Sequence, residues 1–147
     1  MNDFKNRQSA EILKSVYKNA DMAYDSSTDV LKHCKHAKLR SEIAAERERY
    51  RSVANQARTE LVRRGSVPKT FPAASKMMAK MGISMKAMQD SSSQNIAEMM
   101  LRGTTMGIID MQHALNRSSK AEERIRTEAD ALLKREQQFC DNLKKYL

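Results

Sequence analysis

Between Asn95 and Leu115 the chain reads NIAEMMLRGTTMGIIDMQHAL, and the spacing of its apolar residues leaves few folds open. Ile96, Met99, Met100, Gly103, Met106, Met111 and Ala114 recur every three or four residues, which places them on one side of a helix of about 3.6 residues per turn. Leu101, Ile108 and Leu115 form a second stripe, so the apolar surface is broad enough to touch more than one neighbouring helix. Gly103 and Gly107 each cost about 1 kcal/mol relative to Ala in an exposed helix. Their four-residue spacing marks either a close helix approach or a kink.

With only two prolines and four glycines in 147 residues, the chain has little turn chemistry for a β-rich fold. An all-α single domain over residues 1–147 is expected, with a core large enough to need no disulfide or structural metal. No apolar run approaches the roughly 18 residues of a membrane span, and MNDFKNRQSAEILK has no apolar centre, so a soluble, cytoplasmic protein without a membrane partner is expected. Cys34 and Cys140 are too few for a disulfide framework and are expected to be reduced. The net charge of +9 could attract nucleic acid. However, acidic residues are interleaved with the basic ones throughout, which reads as a solvated helical surface and disfavours nucleic acid as a partner.

In chain order, a first helix is expected from an N-cap at Ser9 to about Cys34, with a stripe of Ile12, Leu13, Val16, Tyr17, Ala20, Ala23, Tyr24, Val30 and Leu31 broken at Ser27. A second should run from Lys38 to Arg64 and end on Gly65. Its stripe is Leu39, Ile43, Tyr50, Val53, Ala54, Ala57 and Leu61. Residues 65–72 form a loop, and residues 73–89 a shorter helix whose apolar face is dominated by Met77, Met78, Met81, Met85 and Met88. Such thioethers either fill core gaps or bind copper(I). The third long helix spans 94–117 after a cap within Asp90 to Ser93. A final helix should start at Ser118 or Ser119, with Glu122 in the capping-box position for Ser119, and bury Ile125, Ala129, Leu132, Leu133, Phe139, Cys140, Leu143 and Leu147.

Two carboxylates interrupt these stripes. Glu46 falls where the three- and four-residue steps from Ile43 to Tyr50 land, either facing the core or leaning outward at the stripe edge. Glu136 lies four residues after Leu132 and three before Phe139. A carboxylate facing a core must be paired, hydrogen-bonded, protonated or metal-bound. His33, Cys34 and His36 make a short H-C-x-H cluster, which is either a fragment of a metal site or a helix end with a buried thiol. No nucleophile with a neighbouring base, phosphate loop or paired zinc motif accompanies them.

The segments AERERYRSVANQARTELVRRGSVP (Ala45 to Pro68), ASKMMAKMGISMKAM (Ala74 to Met88) and IAEMMLRGTTMGIIDMQHAL (Ile96 to Leu115) carry a resemblance to an uncharacterised bacterial family of ferritin-like four-helix bundles. The resemblance covers nearly the whole chain. It implies an antiparallel four-helix bundle with a short extra helix between long helices 2 and 3, and it implies association through helix faces. In such bundles a di-iron site takes one Glu from each of two helices and an E-x-x-H pair from each of the others. Glu46 and Glu136 stand where the paired glutamates would fall, but Arg49 and Phe139 replace the histidines. Leu101 and Thr104 occupy positions where the family pattern is acidic, and helix one offers only Asp21 or Asp25, neither central on its stripe.

The reading that follows is a non-enzymatic bundle with a degenerate metal site, structural or protein-interacting, and a homo-oligomer. Arg49 supplies the charge a metal would otherwise supply, pairing with Glu46 or with Glu136. Arg47, Arg51, Arg58, Arg63 and Arg64 give the second helix a basic flank for an acidic protein partner. The alternative is an iron or manganese protein with an atypical site built from Glu46, Glu136, Asp21 or Asp25, and Cys140.

Overall fold

The computed structural model describes residues 2–66 and 92–147. Among the described residues it contains four long helices and no strand: α1 (Asn2–Leu31), α2 (Ala37–Arg63), α3 (Ser93–Arg117) and α4 (Glu123–Leu143), followed by a 3-10 turn at Lys144–Tyr146. The fold is a helical bundle, as the three- and four-residue periodicity requires. The expected Met-rich helix over 73–89 lies outside the described residues.

The helix ends obey local chemistry. Gly65 adopts φ +74, where a side chain would be strained. The amide of Ser66 donates to the Leu61 carbonyl at 2.9 Å and that of Gly65 to the Val62 carbonyl at 3.0 Å. This paired arrangement satisfies the last carbonyls of α2. His36 caps the start of α2, its Nδ1 accepting from the Leu39 amide, and Ser92 caps α3 by accepting from the Asn95 amide.

Two expected boundaries move. α1 begins at Asn2 rather than Ser9, because its polar first turns are anchored by tertiary bonds that apolar periodicity does not register. Asn6 accepts from Arg64, and Gln8 accepts from the Lys120 amide. Ser9 is fully buried inside the helix and accepts from the amide of Glu122 at 2.9 Å, so it serves the start of α4 instead. Neither Ser118 nor Ser119 caps α4: its N-cap is Glu122, which makes no side-chain cap bond and turns its carboxylate to Arg64.

Two apolar clusters fill the bundle. One joins Val30, Cys34, Leu39, Ile43, Ile96 and Leu143; the other joins Ile12, Leu13, Leu61, Leu115, Ile125 and Leu133. Apolar burial of this kind stabilises by roughly 25 cal/mol per Å² removed from water. On α3 the expected stripe is too generous at Met106, which is exposed; Leu147, beyond the last helix, is exposed as well. Among the described residues no helix is long and apolar enough to cross a membrane.

Candidate functional site

Between the two apolar clusters the interior becomes polar. On α2, the step from Ile43 to Tyr50 carries Glu46 inward, so that it is only 5% exposed; on α4, Glu136 is equally buried. Each carboxyl has its own partner. Arg49, one turn along α2, donates through Nη1 to Glu46 Oε2 at 2.6 Å. The Tyr50 hydroxyl donates to Glu136 Oε2 at 2.8 Å. Of the two pairings open to Arg49, the structure has the one along its own helix.

The environment sets the charge states. Burial pushes the Glu136 carboxyl up to about 7, with the nearby Glu46 charge adding to the rise while the Tyr50 hydrogen bond and Arg135 oppose it. Tyr50 is held well above the ordinary phenol range, first by burial and then by the charges of Glu136 and Glu46. The centre therefore holds a carboxylate facing a guanidinium and, below about pH 7, a neutral acid bonded to a neutral phenol.

Beside this pair lies a cavity of about 50 Å³ walled by all four helices. Asn19, Ser26, Tyr50, Thr104 and Glu136 supply its polar lining and Met99, Met100 and Met111 much of the apolar remainder. Thr104 donates to the Met100 carbonyl at 2.8 Å. Further along α3, Asp110 Oδ2 accepts from both Ser15 and Asn19, at 2.8 and 2.7 Å, and these bonds help hold it below the usual carboxylate range against the opposing effect of burial.

The residues singled out from the sequence are only partly brought together. Glu46 and Glu136 share the central layer. Asp21 does not join them: it is half-buried on α1, its carboxyl raised by burial, and exposed Asp25 beside it is raised by burial and then by the charges of Asp21 and Asp29. Cys140 is buried near Glu136, and burial pushes its thiol up. The H-C-x-H cluster forms the α1–α2 turn. His36 spends Nδ1 on its cap and sets its ring edge-on against Tyr146, and the buried Cys34 thiol points to the His36 carbonyl.

A di-iron centre of the carboxylate type needs about six protein ligands. Among the described residues no group of three or more His, Cys, Asp or Glu is placed to hold a metal ion. Arg49 is committed to Glu46, and Phe139 packs in an apolar cluster, so the side chains present do not fit such a centre.

The basic flank of α2 is also reduced. Arg47 lies over the Tyr24 ring at 4.5 Å and bonds Thr28 and the Tyr24 hydroxyl. Arg64 is sequestered by a two-pronged bond to Glu122. Arg51, Arg58 and Arg63 remain exposed.

Sequence reasoning missed Tyr50 as the partner of Glu136, reading it only as an apolar stripe residue. Its position four residues after Glu46 puts it on the same face of α2, but nothing in that spacing points to Glu136 on another helix. It also missed the Ser15–Asn19–Asp110 clasp, for which the sequence carries no periodic signal. No family model, curated protein or solved structure matches this chain.

Proposed function

We propose that this chain is a non-enzymatic, ferritin-like bundle with a degenerate di-iron centre, serving as a structural or protein-interacting scaffold that associates with itself. The observation that carries the reading is that both central carboxyls already have protein partners, Arg49 on Glu46 and Tyr50 on Glu136. Groups satisfied in this way need no metal to offset their burial.

The order of contacts supports the ferritin-like topology. Asn6 meets Arg64 while Thr28 meets Arg47, as in an antiparallel α1–α2 hairpin. Leu115 shares a cluster with Ile125 and Ile96 one with Leu143, as in an antiparallel α3–α4 hairpin. Leu61 near the end of α2 belongs to one cluster and Ile96 near the start of α3 to the other. The end of α2 and the start of α3 then lie at opposite ends of the bundle, the placement that ferritin-like folds with one long crossover require.

A second reading, iron or manganese held by Glu46, Glu136 and Asp21, draws on the proximity of the first two acids in one buried layer. Elemental analysis of protein purified without chelator separates the readings. The scaffold reading expects substoichiometric metal that is the same in wild type and in a Glu46→Gln/Glu136→Gln variant. Stoichiometric iron or manganese lost in that variant would overturn it.

A further inference from the structure

Two open grooves lie on one face of the bundle, between α2 and α4. The first, about 570 Å³, is walled by Gln56, Thr59 and Arg63 on α2 and by Arg124, Glu128 and Ala131 on α4. The second, about 480 Å³, is walled by Ala45 and Arg49 on α2 and by Gln138 and Asn142 on α4. Arg135 borders both, so the grooves follow one another along the same helix pair.

The charge on this face is balanced. Its walls carry Arg49, Arg63, Arg124 and Arg135 against Glu42, Glu46, Glu60 and Glu128. The whole chain is at +9, so two copies repel each other in general. A face with equal numbers of both signs escapes that repulsion, and a twofold interface sets a patch against itself, so it must be self-complementary. An acidic partner gains little from such a face, because three of its four cations already have an anion near them: Arg63 and Arg124 reach Glu60, Arg124 reaches Glu128, and Arg49 reaches Glu46.

Small residues on the walls, Ala45 and Ala131, are exposed and leave room for an approaching helix. α4 gives the face a length of about 30 Å, and two adjacent helices a width of about 20 Å. That is roughly 600 Å² per copy, near the lower limit of about 1,200 Å² in total for a stable interface.

We infer that the α2–α4 face is where a second copy of this chain docks, two such faces meeting about a twofold axis with their Arg and Glu side chains re-pairing across it. This rests on the self-associating scaffold reading and names its surface.

Size-exclusion chromatography with light scattering on the full chain, from low to high micromolar, tests it. The expected species has twice the 16.8 kDa chain mass. Ala131→Arg, and separately Thr59→Arg on the opposite wall, should each raise the dimer dissociation constant at least about tenfold while leaving helicity and melting unchanged. Ile109→Arg, on the exposed face of α3, should leave the dimer intact. A dimer indifferent to both groove variants, or one broken by Ile109→Arg alone, overturns the assignment of the face while sparing self-association. A strict monomer at the highest concentration overturns both.

Discussion

Glu136 is the residue whose chemistry is most displaced by its surroundings. Its pKa of about 7 against an ordinary 4.5 means that the folded chain holds this proton more tightly than the unfolded chain. The resulting stabilisation is fully present below about pH 4.5 and is lost as the pH rises through about 7, a swing of about 3 kcal/mol at most. Glu136→Gln keeps the shape, still accepts from Tyr50 and cannot ionise. Urea unfolding should find the variant more stable than wild type by about 2–3 kcal/mol near pH 8 and similar to it near pH 5; parallel pH profiles would contradict the assignment. Arg49→Leu strands the Glu46 carboxylate. Because Arg49 is itself 54% exposed, the loss should be about 1–3 kcal/mol rather than that of a fully buried pair. Adding Glu46→Gln should restore most of it in the same unfolding assay. Glu46 and Glu136 were legible in the sequence because a carboxylate on an apolar stripe breaks a period. Their partners were legible only where the spacing was local: Arg49 sits three residues from Glu46, whereas Tyr50 reaches Glu136 from another helix.

At the scale of elements, periodicity located every described helix, and the exceptions have tertiary causes. The first turns of α1 carry polar residues whose bonds to Arg64 and Lys120 come from distant parts of the chain. Ser9 looked like a cap from sequence, and it does serve a helix start, but that of α4. Ser9→Ala should therefore cost about 1–2 kcal/mol in thermal or urea unfolding, by leaving the Glu122 amide without its acceptor. An unchanged midpoint would show that the bond is dispensable. The glycine pair on α3 suggested a close approach or a kink, yet a Cβ at Gly107 would meet Asn19 at 3.5 Å, an ordinary contact. Gly107→Ala should be tolerated and should stabilise α3 by up to about 1 kcal/mol, read as a raised melting temperature. A lowered one would place a tighter constraint there than the structure contains.

For the whole molecule, the bundle is organised as two apolar clusters with a polar layer between them, and the proposed scaffold role rests on how that layer is closed. The all-helical class was legible because composition and period agree. The ownership of the central acids was not, because it depends on which helix faces which. The most direct measurement is the carboxyl carbon shift of Glu136, followed by NMR from acid to alkaline pH and assigned with Glu136→Gln, in metal-stripped protein and again with equimolar zinc. The account predicts one titration near pH 7 in both samples. An ordinary carboxylate titration in stripped protein, or a zinc-dependent shift of the midpoint, would contradict it.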